Sequence, residues 1–315
     1  MKKIVLFLDS VHPVLSERLM DEDYYCLYDY QNSIEFIYNT YPDIFGLVIR
    51  SRINLTSEAL ARFTNLRFIA RSGSGLENID TEYCRENNIA VFNSPEGNRN
   101  AVAEHAMGLL LTMLNNITKS NNQIKQAVWE RELNRGEELK GKTVGIIGFG
   151  HNGKAFAEKL LSFGVLILAF DKYVEVESNQ GIRSASLEEI YELSDVVSLH
   201  LPLTDETFYY ANKAFFQYFK KNIYFLNIAR GKLVQTTELV EALKCGKVIA
   251  AGLDVVEYEE GSFESLQVDE TPEPLTYLMN SSLVILTPHI AGWTKESYFL
   301  LSDVLADKIL SFSFP

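Results

Sequence analysis

The stretch "KTVGIIGFGHNGKAFAEKLLSFGVLILAFDK", residues 142–172, leaves a chain few ways to fold. Thr143–Ile147 reads as a strand, Lys154–Phe163 as a helix and Val165–Phe170 as a second strand. Between the first two lie Gly148, Gly150 and Gly153, in the spacing G-x-G-x-x-G. The first glycine permits a tight turn, the second lets the backbone approach a pyrophosphate, and the third lets the helix pack closely on the strand. The helix N-terminus then offers unpaired N–H groups to phosphate oxygens. Asp171 closes the second strand, 18 residues after Gly153. A carboxylate there accepts hydrogen bonds from ribose hydroxyls and repels a 2′-phosphate, which favours NAD over NADP; the neighbouring Lys172 partly offsets that repulsion. A glycine triplet alone is a weak signal, and the weight rests on the order strand, glycines, helix, strand, acid.

The rest of the chain repeats the same alternation. Strand-like runs at Lys3–Leu8, Leu47–Arg50, Phe68–Ala70 and Ala90–Phe92 are separated by helical patterns, the sequence form of βαβ units around a parallel sheet. In the second half, "DVVSLHLPLT", "NIYFLNIARGKLV", "VIAAGLDV" and "SLVILTPHIAG" each run from apolar to polar, ending at His200 and Thr204, Arg230, Asp254 and His289. Ligands of open parallel sheets bind beyond the carboxyl ends of the strands, so these polar groups converge on one crevice. Between the halves, "GNRNAVAEHAMGLLLTMLNNI" predicts one long apolar helix over 98–115, with a second helical stretch to about Trp129. A helix apolar on most sides must be covered by a second domain or a second subunit. His105 within it reads as a hydrogen-bonded packing histidine.

Composition narrows the class. With 315 residues, 47% of them hydrophobic, the chain is long enough for two domains and a substantial core. A formal net charge of −13 argues against a general nucleic-acid binder, which needs clustered Lys and Arg, so an anionic ligand must be held by a local pocket. Cys26, Cys84 and Cys245 have the spacing of neither a zinc site nor a disulfide scaffold, so no metal is expected and the thiols fit a reducing compartment. In "MKKIVLFLDS", Asp9 interrupts the apolar run, so a first strand explains it better than a signal peptide. No run approaches the ~20 apolar residues of a membrane span, and a soluble cytoplasmic protein without membrane or nucleic-acid partners is expected.

Blocks along nearly the whole chain resemble the D-isomer-specific 2-hydroxyacid dehydrogenase family, and within it the short phosphoglycerate dehydrogenases that lack a regulatory domain. They are "LVIRSRINLT", "ARSGSGLENID", "NSPEGNRNAVAEHAMGLLL", "TVGIIGFGHNGKAFAEKLLSFG", "DVVSLHLPLTDET", "NIARGKLV", "GLDVVEYEE" and "TPHIAG", in the family's order. The resemblance implies a catalytic trio of Arg230, Glu259 and His289. Reducing a 2-oxo acid needs a hydride at C2 and a proton on the carbonyl oxygen; His289 would move the proton, Glu259 would fix its tautomer and pair its charge, and Arg230 would hold the carboxylate. Counting five positions on from Asp254 selects Glu259, but Glu257 and Glu260 crowd the same loop. Where the family places proline directly after the acid, Glu260 follows here, so Glu257 stays open as the alternative and the register with Glu260 unsettled.

The same resemblance implies an NAD site on Gly148, Phe149, Gly150, His151, Asn152, Gly153, Asp171, His200, Pro202, Thr204, Ala229, Asp254 and Gly292. Substrate would meet Arg50, Ser74, Gly75 and Arg230. The fold expected is α/β: a flavodoxin-like substrate domain at 1–96 and 289–315, and a doubly wound Rossmann domain at 97–288. The long helix and its successor would pair two subunits into a homodimer. The leading activity is NAD-dependent oxidation of a small anionic D-2-hydroxy acid, with 3-phospho-D-glycerate, and with it serine biosynthesis, as first choice. Reduction of hydroxypyruvate or glyoxylate is the runner-up, and an NAD-sensing corepressor-like binding module is the alternative from another class. A chain ending at Pro315 is not expected to carry a serine-feedback domain.

Overall fold

A computed structural model of the chain describes residues 3–179, 181–259, 266 and 271–314. Among them, every pairing within the two sheets is parallel. The chain divides into two units, one from the described residues of Met1–Arg99 and Trp293–Pro315, the other from those of Asn100–Glu259 and Leu266–Gly292.

The first unit contains β1 (Lys3–Phe7), β2 (Tyr24–Tyr28), β3 (Gly46–Ile49), β4 (Phe68–Arg71) and β5 (Ala90–Asn93). Their order, β2-β1-β3-β4-β5, is the flavodoxin-like one. β3 and β4 are buried throughout, which is why the central runs "GLVI" and "FIAR" read so plainly from sequence. β2 lies at the sheet edge, and its "YYCLY" leaves Tyr25 and Tyr28 exposed; without a continuous apolar run it did not announce itself as a strand. The closing helix, Lys295–Ser311, starts at a capping box formed by Thr294 and Ser297. It lays Leu305, Ala306 and Ile309 against Val5, Phe7, Val48 and Phe68.

The second unit contains β6 (Thr143–Ile147), β7 (Leu166–Phe170), β8 (Ile182–Ser184), β9 (Val196–Leu199), β10 (Ile223–Asn227), β11 (Val248–Leu253) and β12 (Val284–Leu286). Their order, β12-β11-β10-β9-β6-β7-β8, reverses between β6 and β9, the topological switch of a doubly wound Rossmann sheet. Each face carries its own core, one through Val144, Ile146, Phe156 and Leu160, the other through Ile147, Leu199, Phe215 and Phe225. β8, three residues long and containing Arg183, gave no strand signal.

Two helices differ from expectation for local reasons. The helix after the glycines begins at His151, not Lys154, because Gly150 caps it in extended conformation and the glycine loop itself forms the first turn; its α-helical part ends at Leu160 and a 3-10 turn, Leu161–Phe163, follows. The long apolar helix runs Pro95–Leu114, with Val102, Ala103, Ala106, Leu109, Leu110 and Met113 buried. Its successor, Ile117–Lys125, stops short of Trp129, where Ala127 takes a φ of 59°. None of that helix's residues is buried.

Phe156 is fully buried where the glycine-capped helix meets the sheet. Phe156→Ala is expected to cost about 3–5 kcal/mol of stability, read as a lowered urea midpoint. A loss under about 1 kcal/mol would mean that this helix is not held by its apolar face.

Candidate active site

The nucleotide loop is shaped by contacts that forbid side chains. Gly148 has a φ of 94°, and a Cβ there would lie 2.6 Å from the His200 carbonyl oxygen. At Gly153 a Cβ would lie 2.1 Å from the Gly148 oxygen, whereas at Gly150 it would meet nothing within 4 Å. Two glycines therefore serve packing, and the third faces open space at a helix N-terminus, as a pyrophosphate cradle requires. Asp171, at the end of β7, holds this loop: Oδ2 accepts the Phe149 N–H at 2.7 Å, and Oδ1 accepts those of Tyr173 at 2.8 Å and Val174 at 2.9 Å. A carboxylate has about four acceptor directions, so one is left for a ribose hydroxyl. Lys172 pairs with Glu206, which also accepts the Tyr173 hydroxyl at 2.8 Å. The cation beside Asp171 is thus already matched by a second carboxylate.

The remaining cofactor candidates divide by which part of each residue can reach a ligand. Phe149 is buried, so its part is played by its backbone; His151 is exposed; Asn152 carries a buried Oδ1 without a hydrogen-bond partner. His200 shares a hydrogen between Nε2 and Ser198 Oγ at 2.9 Å, and its ring lies 5.5 Å from Phe156. Burial pushes this imidazole down to about 3, so it is neutral, and what it presents to Gly148 is its carbonyl. Pro202 and Thr204 belong to a turn locked by Thr207, whose Oγ1 donates to the Pro202 carbonyl at 2.6 Å and accepts the Thr204 N–H at 2.8 Å. Ala229 and Arg230 sit in a turn held by the buried Asn227, which accepts the Ala229 N–H at 3.1 Å and donates to the Arg230 carbonyl at 2.8 Å. A Cβ on Gly231 would lie 1.9 Å from the Val256 oxygen, so the loop bearing Arg230 packs directly on the one bearing the glutamates.

There the glutamates separate. Glu259 Oε2 lies 2.8 Å from His289 Nδ1, and its Oε1 accepts the Val256 N–H at 2.6 Å. Glu257 faces elsewhere: it accepts the Tyr209 hydroxyl and, at 2.9 Å, the N–H of Thr236 at the start of the Thr236–Lys244 helix. Glu260 lies outside the described residues. Nδ1 of His289 is thus engaged by Glu259, and Nε2 is the ring's other titrating nitrogen. His289 has a φ of 55°, rare for a residue with a side chain.

Asp254, 1% exposed, builds the turn around that histidine. Its carbonyl accepts the His289 N–H at 2.7 Å, Oδ1 accepts the Thr287 hydroxyl at 2.5 Å and the Ile290 N–H at 2.9 Å, and Oδ2 accepts the Ala291 N–H at 2.8 Å. The resemblance assigns this acid to the cofactor; its visible work is to fold residues 287–291, followed directly by Gly292. Sequence reasoning missed Asn227, Thr207 and Thr287, whose partners lie across turns or on other strands.

In the first unit, Arg50 follows β3. Its N–H donates to Asp9 Oδ2 at 2.6 Å, its carbonyl accepts from Asn78 Nδ2 at 3.0 Å, and its guanidinium lies 4.2 Å from the Trp293 ring centroid. Arg52 is spent on structure, donating to the carbonyls of Leu8 at 2.7 Å, Asn32 at 3.1 Å and Asp29 at 3.3 Å. Arg71 is buried beneath the turn after β4, so that a Cβ on Gly73 would lie 1.9 Å from its Nη1. That turn carries Ser74 and Gly75; Ser74 Oγ donates to Asn98 Oδ1 at 2.9 Å, and its carbonyl accepts from Asn93 Nδ2 at 2.6 Å. The two asparagines and Trp293 were not anticipated.

Comparison with known proteins identifies the family. A family model described as D-isomer specific 2-hydroxyacid dehydrogenase, NAD binding domain, matches residues 107–291. A hydroxypyruvate reductase of Thermotoga maritima is 37% identical over 85% of this chain and 84% of its own length. The D-3-phosphoglycerate dehydrogenase of Bacillus subtilis is 32% identical over 85% of this chain but 49% of its own, so the chain spans about half the length of the relatives of that name it matches. The D-lactate dehydrogenase of Aquifex aeolicus, solved with NAD and lactic acid, superposes with a TM-score of 0.84 at 27% identity over 98% of this chain and 95% of that one. With a family model over more than half its residues and a relative at this identity over most of its length, the chain belongs to the D-isomer-specific 2-hydroxyacid dehydrogenases, NAD-dependent oxidoreductases of the CH–OH group.

Proposed function

We propose that the chain interconverts a small anionic D-2-hydroxy acid and its 2-oxo acid with NAD, and the Glu259–His289 pair at 2.8 Å carries this reading. NAD, when bound, supplies or accepts the hydride at C2. His289 Nε2 gives the proton to the carbonyl oxygen in reduction and takes it back in oxidation, while Glu259 fixes the tautomer and steadies the imidazolium. Arg230, whose Nη1 donates to the Ala229 carbonyl at 2.7 Å, holds the substrate carboxylate by its charge. Gly150 takes the pyrophosphate at the start of the His151–Leu160 helix, Gly148 and Gly153 and the Phe149 N–H bound to Asp171 hold the loop in shape for it, Asp171 takes the ribose, and Pro202, Thr204, Ala229, Asp254 and Gly292 the nicotinamide half. The doubled carboxylates Asp171 and Glu206 around Lys172 favour NAD over NADP.

For the C3 substituent the reading turns on Arg50, with Ser74 and Gly75 on the substrate carboxylate. A guanidinium stacked on an indole is held extended and less hydrated, which suits an anion. This supports 3-phospho-D-glycerate, and with it serine biosynthesis, as the leading substrate. Hydroxypyruvate or glyoxylate is favoured as the second reading by Arg52 and Arg71, both bound up in structure and unavailable to a phosphate. The exposed Trp129 and Leu133, after a helix with no buried residue, fit a surface closed by a second copy, a homodimer. Burial raises the Cys26 and Cys84 thiols to about 11, so both stay protonated near neutral pH, which fits a reducing cytoplasm.

Glu259→Gln is expected to lower kcat about 10–100-fold with NADH affinity unchanged, whereas Glu257→Gln lowers thermal stability and spares kcat; steady-state rates and melting curves separate the two. Rates with 3-phosphohydroxypyruvate, hydroxypyruvate and glyoxylate decide the substrate. Trp293→Ala is expected to raise KM for the phosphorylated acid about 5–10-fold more than for hydroxypyruvate; equal effects on both would remove Arg50 from the C3 subsite. No turnover of any acid despite NADH binding would favour the corepressor-like module. A sedimentation mass of one chain at micromolar concentration would contradict the homodimer.

A further inference from the structure

His105 has no part in the chemistry above, yet it sits behind it. Its Nε2 lies 2.9 Å from Thr287 Oγ1 and 3.4 Å from Asp254 Oδ1. The Thr287 hydroxyl has one proton and, at 2.5 Å, gives it to the Asp254 carboxylate. Towards His105 it can therefore only accept, so Nε2 carries the hydrogen and His105 acts as donor. Donation runs from His105 on the Pro95–Leu114 helix to Thr287 and from Thr287 to Asp254, the carboxylate that also accepts the N–H groups of Ile290 and Ala291.

That network surrounds a residue in an uncommon backbone conformation. The left-handed φ of 55° at His289 is strained for a residue with a Cβ and persists only where neighbouring contacts fix it. We infer that His105 is a positioning residue: by donating to Thr287 it orients the hydroxyl toward Asp254 and so keeps residues 287–291 in the turn that aims His289 at Glu259. The inference rests on reading His289 as the acid–base group, but its structural half stands apart from turnover. A packing histidine would be replaceable by any apolar side chain of similar size, whereas a positioning donor is replaceable only by another donor.

The test compares His105→Leu with His105→Gln in the full chain. Hydrogen exchange is followed at the amides of 289–291, alongside kcat and KM for the best 2-oxo acid. In the leucine variant, exchange at these amides is expected to rise at least about tenfold, and kcat to fall by a similar factor with KM within about threefold. The glutamine variant is expected to bring both back to within about threefold of wild type. Thr287→Val, which breaks the same link from its other end, is expected to reproduce the leucine exchange pattern and serves if the leucine variant does not fold. Unchanged exchange in the leucine or valine variant, or a glutamine variant no better than leucine, overturns the inference. A wild type that turns over no acid counts against the functional reading alone, since the exchange comparison still decides the role of His105.

Discussion

A single buried carboxylate organises the turn at residues 287–291 of the second unit. Asp254 ends β11 almost without exposure, and it escapes the cost of a buried charge only because three donors meet its two oxygens. Satisfying that charge folds residues 287–291, and the fold of that turn sets the direction of His289. Glu259 stands five positions further along the same loop, so one short segment after β11 carries both the acid that shapes the turn and the acid that faces the imidazole.

The division between legible and hidden features follows from range. Strands buried on both faces, such as "GLVI" and "TVGII", advertise themselves by composition, and the glycine spacing fixed the turn after β6 because local backbone geometry demands it. β2 and β8 stayed hidden because an edge strand rich in tyrosine and a three-residue strand containing arginine carry little apolar pattern. Counting from Asp254 selected Glu259 but left Glu257 open, since both acids stand on one loop. Their difference lies in partners remote in sequence: Tyr209 and Thr236 for one, His289 for the other. Asn227, Asn93 and Asn98 escaped for the same reason, since an amide that ties a turn looks in sequence like any polar residue.

The arginines of the first unit make the same point about charge. Sequence offered Arg50 for the substrate through resemblance, and geometry shows how its neighbours Arg52 and Arg71 are used. Arg52 spends its donors on the carbonyls of Leu8, Asp29 and Asn32, and Arg71 fills space that Gly73 leaves for it. Donors given to the protein's own carbonyls are lost to an anionic substrate, so counting basic residues overstates what it can find.

The neutral imidazole behind the glycine loop has a consequence for the whole molecule. His200 resists protonation down to about 3 when folded, while in an unfolded chain it takes up a proton near 6.5. As pH falls through 6.5 the unfolded state gains a proton that the folded state refuses, so stability declines between those two values and is fully kept above the upper one. A residue that packs its carbonyl against Gly148 thus makes the folded state sensitive to acid through a group that takes no part in the proposed proton transfer.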